Sequence, residues 1–195
     1  MKAYATEFIR NLAVIGHGDV GKTQLLSSLL YVAGATPRWG KVEEGTTVTD
    51  HEEDSIARKI TLNTALAHLE HRDTKINFID TPGYAAFVAH ARPAVRDQLI
   101  AASSLLTASK GVEVQTEKVW AYANEFMLPR MMVVTKLDKE HSDIGIALDS
   151  AHNIFKRAIV PFTLPIGKEH RLQGRRRRRP HEGLRVRRER QGQGN

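Results

Sequence analysis

A glycine-rich segment near the start of the chain has the spacing of a phosphate-binding loop. Residues 16–23 (GHGDVGKT) match G-x-x-x-x-G-K-[ST] between an apolar run and a helical pattern. In such a loop backbone N–H groups surround phosphate oxygens, the lysine neutralises the β- and γ-phosphates, and the hydroxyl binds Mg²⁺. A plain glycine turn before a helix is the structural alternative. The predicted contact residues are Gly16, His17, Gly18, Asp19, Val20, Gly21, Lys22 and Thr23.

A second candidate segment, residues 80–83 (DTPG), directly follows the apolar run KINFI. There the Asp80 carboxylate can reach the shell of a bound metal, and the Gly83 N–H can approach a γ-phosphate. Thr-Pro-Gly is also good turn chemistry, so an ordinary turn is the alternative. Together with the phosphate loop, the segment predicts a site for Mg²⁺ and a nucleoside triphosphate.

A third segment, residues 135–138 (TKLD), follows the apolar run RMMVV. A carboxylate such as Asp138 can accept hydrogen bonds from N1–H and N2–H₂ of guanine, a donor pair that adenine lacks. The stem of Lys136 can lie against the base, and Thr135 begins the segment. The pattern favours GTP and GDP over adenine nucleotides, although Lys-x-Asp after a strand can also be an exposed turn.

The elements around these segments alternate between strands and helices. Apolar runs predict strands, helical periodicity predicts helices, and residues 35–55 have neither period and read as a long functional loop. Apolar strands that alternate with helices indicate an α/β fold, a mostly parallel sheet with helices on both faces and ligands at the carboxyl ends of the strands. The predicted strands are residues 11–15, 62–69, 75–79 and 130–134, and the predicted helices are residues 22–33, 87–96 and 116–126.

Composition indicates one globular domain in a reducing compartment. The 195 residues include no cysteine, and the first residues lack the order of a signal peptide. The apolar stretch 99–108 is interrupted by serine and threonine and is shorter than the roughly 20 residues of a membrane helix. We therefore expect no membrane span and a cytoplasmic protein.

The basic charge of the chain lies in one segment. Residues 175–195 contain nine arginines and two glutamates, so they carry the whole formal charge of +7 and the other 174 residues are neutral. An RNA-binding function would rest on this tail alone, and we do not expect it to be a selected function. We divide the chain into a nucleotide domain, residues 1–174, and a basic tail, residues 175–195, that we expect to be disordered.

These segments together resemble the GTP-binding domain of translational GTPases, closest to elongation factor G and its paralogues. The resemblance covers residues 8–174, and IRNLAVIGHGDVGKT, EEDSIARKIT, INFIDTPGY, GVEVQTEKVWAYANEFMLPRMMVVTKLD and LPIGKEHRLQG carry it. It implies a P-loop GTPase fold, GTP hydrolysis and the ribosome as partner. It also implies that Thr61 closes over Mg²⁺ beside Thr23 and Asp80, and that Asp80 and Gly83 form a second γ-phosphate sensor.

Four departures from the family pattern qualify that function. Tyr84 stands where the family usually has a histidine that positions the attacking water, and a phenol does not mimic a cationic imidazole. A nucleotide-binding module with little hydrolysis is therefore the alternative function. Thr135 replaces an asparagine and Lys59 a glycine, for which we expect weaker affinity and unchanged base choice. The resemblance also ends inside the nucleotide domain, so we expect a truncated domain with an uncovered apolar sheet face.

The genetic code offers an origin for the arginine tail. Arginine codons of the form CGN, read one base later, turn RRRRRPHEGLRVR into VVDVVHMKAYVF, the kind of continuation that the resemblance implies. We hypothesise that residues 175–195 are a frame-shifted reading. Residues 97–107 (DQLIAASSLLT) allow a similar two-base shift, and ordinary divergence explains them equally well.

Overall fold

In the computed structural model, residues 3–87, 91–94, 99, 101–156 and 159–177 are described. Strands and helices alternate along most of this length. The strands are β1 (Ile9–Gly16), β2 (Ala65–His71), β3 (Thr74–Asp80), β4 (Ala101–Thr107), β5 (Arg130–Thr135), β6 (Thr163–Ile166) and β7 (Gly174–Arg177). The helices are α1 (Lys22–Val32), α2 (Glu53–Arg58), α3 (Ala91–Ala94), α4 (Val114–Glu125) and α5 (Ile144–Phe155), and short 3-10 turns span Thr6–Phe8, Val42–Glu44 and Glu169–Arg171.

Five strands form one mostly parallel sheet in the order β2-β3-β1-β4-β5. β1 pairs in parallel with β3 and β4, and β4 pairs in parallel with β5. β2 and β3 form an antiparallel hairpin whose turn residues Arg72 and Asp73 both have positive φ. The carboxyl ends of β1, β3 and β5 therefore point to the same edge of the sheet, where the three predicted segments begin.

Helices cover both faces of this sheet. Side chains alternate along β1, so Ala13 and Ile15 pack with residues of α4, whereas Val14 packs with Leu26 and Leu30 of α1. The helix α5 packs through Ala151 against Leu106 of β4. The predicted α/β architecture is confirmed.

The strands β4, β6 and β7 and the helix α5 were not among the predicted elements, and other elements differ from their predicted boundaries. The predicted loop, residues 35–55, overlaps the start of α2, a helix that was not predicted. A helix of six residues is too short to show helical periodicity. The predicted helix 87–96 is represented by α3 alone, and residues 88–90, 95 and 96 lie outside the described residues. β2 begins at Ala65, three residues later than predicted, because Thr61 belongs to the loop above the sheet.

The structure describes only part of the two segments that allow a frame-shifted reading, residues 97–107 and 175–195. Residues 101–107 form the strand β4, and residues 97, 98 and 100 lie outside the described residues. The first three residues of the tail, expected to be disordered, instead pair with residues 163–165 in the β6–β7 hairpin, because strand pairing uses the backbone. Residues 178–195 are also outside the described part.

One edge of the main sheet is formed by β5. Met131 on this strand is 63% exposed. No helix in the described part of the chain is long and apolar enough to cross a membrane.

Candidate nucleotide-binding site

The predicted phosphate loop connects β1 to α1. Gly21 is the residue before α1 and has φ 86° and ψ 29°, a left-handed conformation that favours glycine. The side chain of Val20 packs in the core, so only its backbone is available to a ligand. The loop therefore presents the backbone N–H groups at the start of α1 to the carboxyl edge of the sheet.

Lys22 is buried beneath this loop. Its Nζ donates to the carbonyl oxygens of His17 at 2.7 Å and Gly16 at 3.2 Å. Burial lowers the pKa of Lys22 to about 8, against the opposing attraction of Asp80, Asp19 and Asp50. The ammonium is still mostly charged at pH 7, so the loop holds a positive charge ready for phosphate oxygens.

Thr23, Thr61 and Asp80, the three predicted magnesium ligands, lie together. The Thr23 hydroxyl donates to Oδ2 of Asp80 at 2.8 Å, and Oγ1 of Thr61 is 2.9 Å from Oγ1 of Thr23. Asp80 is fully buried, and burial raises its pKa to about 6 even though the Thr23 hydrogen bond and the Lys22 charge lower it. A cation beside Asp80 would hold this carboxyl ionised.

Two further residues of this cluster were not predicted. The Thr49 hydroxyl donates to Oδ2 of Asp80 at 2.9 Å, and the Thr61 hydroxyl donates to Oδ1 of Asp50 at 2.9 Å. Both Thr49 and Asp50 are buried, and burial raises the pKa of Asp50. They belong to the predicted functional loop, but no residue pattern distinguished them from their neighbours.

The oxygen atoms of this cluster fit a hard divalent cation. Oδ1 of Asp80 and Oδ2 of Asp50 are buried and have no hydrogen-bond partner among the described residues. Carboxylate and hydroxyl oxygens are ligands that suit Mg²⁺, which also takes phosphate oxygens. No group of three or more histidine, cysteine or acidic residues in the described ranges could hold a metal by itself. The residues thus fit a metal that is bound jointly with phosphates.

Gly83 and Tyr84 lie against the phosphate loop. A Cβ atom on Gly83 would collide with Nζ of Lys22 and would lie 2.5 Å from the carbonyl oxygen of His17, so the backbone there requires glycine. The Tyr84 ring packs on Gly18, and the residue is 40% exposed. The DTPG segment thus lies beside the residue that would neutralise the phosphates.

The TKLD segment contacts the phosphate loop from the other side. The Thr135 hydroxyl lies 2.8 Å from the carbonyl oxygen of Val20 and 3.1 Å from that of Leu106. Nζ of Lys136 is 2.9 Å from Oδ1 of Asp19, and Asp138 is exposed. The Thr135 side chain therefore ties the TKLD segment to the phosphate loop.

The His17 ring lies near a carboxylate that the sequence did not indicate. Its Nε2 lies 3.7 Å from Oε1 of Glu113, which precedes α4, and the same oxygen lies 3.4 Å from Nζ of Lys110. Glu113 thus approaches the phosphate loop from the start of α4.

Comparisons with known proteins agree with this architecture. The family model described as the elongation factor Tu GTP binding domain matches residues 7–173. Two proteins named elongation factor G-like protein, from Mycobacterium tuberculosis strains CDC 1551 / Oshkosh and H37Rv, are each 36% identical over 159 residues. These residues are 82% of this chain and 22% of each relative, so the chain spans about a fifth of their length.

A solved structure is also similar. A crystal structure of a protein from Thermus thermophilus matches with a TM-score of 0.80 and 38% sequence identity, over 86% of this chain and 25% of that one.

Proposed function

Since this chain belongs to the family of the elongation factor Tu GTP-binding domain, a domain of translation GTPases, we propose that it binds GTP and GDP with Mg²⁺ and hydrolyses GTP to GDP and phosphate. One observation carries the proposal. The buried Lys22 ammonium and the Thr23, Thr61 and Asp80 cluster lie at the same edge of the sheet, as phosphate and metal binding together require.

The phosphates of the nucleotide would occupy the loop between β1 and α1. The N–H groups of residues 16–23 would donate to phosphate oxygens, and Lys22 would exchange its two carbonyl acceptors for the β- and γ-phosphates. Guanine would lie beside the TKLD segment. There the exposed Asp138 carboxylate can accept from N1–H and N2–H₂, while Thr135 holds the segment to the loop.

The metal would be held by the hydroxyls of Thr23 and Thr61 and by Asp80. When bound, Mg²⁺ supplies neutralisation of charge on the β- and γ-phosphate oxygens. In hydrolysis a water attacks the γ-phosphorus as the bond to the β-phosphate oxygen breaks. Lys22 and the Gly83 N–H would stabilise the charge that develops on the transferring group.

The extent of hydrolysis depends on Tyr84. A phenol can orient a water by a hydrogen bond but carries no positive charge near pH 7. A module that binds nucleotide and hydrolyses little is therefore the second candidate function, and Tyr84 is the observation that favours it. Phosphate release above the spontaneous rate would contradict this second candidate.

A displacement assay with fluorescent GDP tests the binding proposal. We expect GTP and GDP to displace the probe and ATP to fail, and Asp138→Ala to weaken binding of both guanine nucleotides by at least tenfold. Asp149→Ala removes an exposed aspartate of α5 and is the matched control. Equal displacement by ATP, or equal effects of the two variants, would contradict guanine recognition.

The finer proposal concerns the partner. By analogy with the elongation factor G-like relatives, we propose a cytoplasmic role at the ribosome during translocation. Co-sedimentation with ribosomes should depend on a non-hydrolysable GTP analogue. Sedimentation that is equal with GDP and without nucleotide would contradict the proposal.

A separate proposal is that the nucleotide domain ends at residue 174 and that the tail, residues 175–195, is a frame-shifted reading of the gene. The family match ends two residues before the arginine run. The β6–β7 register pairs Leu164 with Arg176, where the shifted frame has valine, and Ser104 of β4 has a buried hydroxyl without a partner among the described residues. CGN codons at Arg175–Arg179 are expected, and AGA or AGG codons there would contradict the hypothesis.

A further inference from the structure

The Thr49 hydroxyl contacts the carboxylate that we assign to the metal. It donates to Oδ2 of Asp80 at 2.9 Å, and the Thr23 hydroxyl donates to the same oxygen at 2.8 Å. Asp80 is fully buried, and Thr49 and Thr23 are also buried, so water does not compete for this oxygen. Oδ2 of Asp80 therefore has two donors from the protein.

The other oxygen of the same carboxylate has no such donor. Oδ1 of Asp80 is buried and has no hydrogen-bond partner among the described residues. A buried carboxylate oxygen without a donor is costly unless another group, such as a cation, takes the place of the donor. The two threonine hydroxyls therefore determine which oxygen of Asp80 is available to a cation.

Adjacent residues of the loop between α1 and α2 hold two of the three proposed metal ligands. Thr49 donates to Asp80, and the next residue, Asp50, accepts from the Thr61 hydroxyl at 2.9 Å. Because Thr49 and Asp50 share a peptide bond, a shift of one displaces the other. The hydrogen bond of Thr49 thus also helps to keep Thr61 beside Thr23.

We infer that Thr49 is a positioning residue of the Mg²⁺ site, whose hydroxyl orients the Asp80 carboxylate so that Oδ1 stays available to the cation. This inference rests on the proposed function and adds a residue to its metal site. Hydrogen bonds that orient a metal ligand from outside the coordination shell typically change metal affinity by about 10–100-fold. The Thr49 hydroxyl therefore affects the affinity for Mg²⁺ and not the affinity for the nucleotide without metal.

The test measures how the release of fluorescent GDP from the full chain depends on the Mg²⁺ concentration. Bound metal and bound nucleotide stabilise each other, so the Mg²⁺ concentration that gives half of the slowing of release reports metal affinity. Thr49→Val removes the hydroxyl and keeps the shape of the side chain. We expect it to raise this concentration about tenfold. In EDTA we expect Thr49→Val to release GDP at the rate of the unmodified chain.

Two further variants are controls for this measurement. Thr49→Ser restores the hydroxyl and is expected to keep the Mg²⁺ requirement of the unmodified chain. Thr47→Val is the matched control, because Thr47 lies in the same loop, is buried, and has a hydroxyl without a partner among the described residues. Its Mg²⁺ requirement is expected to be unchanged.

The outcomes separate this inference from the proposed function. If the unmodified chain binds no GDP, or releases it at a rate independent of Mg²⁺, the proposed function fails and the inference with it. If the Mg²⁺ requirement of Thr49→Val is within twofold of the unmodified chain, only the inference is overturned. An equal rise in Thr47→Val or Thr49→Ser would also overturn it, since loss of this hydroxyl would not be the cause. Faster release or loss of GDP binding by Thr49→Val in EDTA would overturn it too, because the role of Thr49 would then be structural.

Discussion

The Thr135 hydroxyl offers a direct test of how the end of β5 supports the phosphate loop. Thr135→Val replaces the hydroxyl with a methyl group of similar shape. The change removes the contact to the Val20 carbonyl at 2.8 Å and the longer contact to the Leu106 carbonyl at 3.1 Å. The tie between the TKLD segment and the loop is thereby lost, while the volume of the side chain is kept.

The expected cost follows from the burial of these groups. An intramolecular hydrogen bond contributes about 0.5–1.5 kcal/mol net, and a buried carbonyl left without a donor costs about 1–3 kcal/mol. Val20 is almost fully buried, so water cannot replace the hydroxyl readily. We expect the free energy of unfolding to fall by about 1–2 kcal/mol and the affinity for GDP to fall about tenfold as the loop loosens.

Thr107→Val is the matched control. Thr107 lies on β4 in register with Thr135, is buried, and has a hydroxyl without a partner among the described residues. Urea denaturation and displacement of fluorescent GDP measure both variants. The Thr107 variant is expected to be neutral or stabilised. A loss of stability in Thr107→Val as large as in Thr135→Val would refute the reasoning, as would an unchanged Thr135 variant.

Three further predictions concern charge and backbone conformation. GDP affinity should fall as pH rises from 7 to 9, because the Lys22 pKa is about 8 and the charged form binds phosphate; a flat calorimetric profile would contradict this. Asp143→Ala should cost about 1 kcal/mol at pH 7 in urea denaturation, because Asp143 caps α5. The Lys168 ammonium at 2.6 Å holds the pKa of Asp143 below its ordinary 3.8, so this stabilisation is present above pH 3.8 and is lost as the pH falls through the lower folded-state pKa. A stability difference that grows as the pH is lowered from 3.8 would contradict this. Lys59→Gly should stabilise the chain by about 0.5–1 kcal/mol, because Lys59 has φ 56° and its ion pair with Glu43 is exposed. Glu43→Ala removes only the ion pair, and a Lys59→Gly chain less stable than that control would refute the strain argument.

Local patterns predicted several of the long elements, but not the twelve-residue helix α5 or the strand β4. The apolar runs at β1, β3 and β5 and the periodic pattern of α1 indicated those elements because burial imposes a regular spacing. The six-residue helix α2 was missed, since less than two turns cannot show that spacing.

Candidate site residues were predictable where chemistry is encoded in a short segment. The segments GHGDVGKT, DTPG and TKLD each predicted a role through residue type and spacing, and the structure brings all three to one edge of the parallel sheet. Glu113 was missed because its approach to His17 depends on the position of α4 relative to the loop. The spacing of residues within the phosphate loop or within α4 does not predict the distance between His17 and Glu113.

The sequence by itself predicted a candidate phosphate loop before α1 and an acidic residue at the end of β3, because these are local consequences of residue type and order. Only the tertiary structure decided which residues of the long loop reach Asp80 and which ring lies on Gly18. Thr49 and Asp80 are 31 positions apart, and their 2.9 Å hydrogen bond depends on the path of the whole intervening chain. Contacts of that length tolerate errors of only a few tenths of an ångström, which no pattern of residue types specifies.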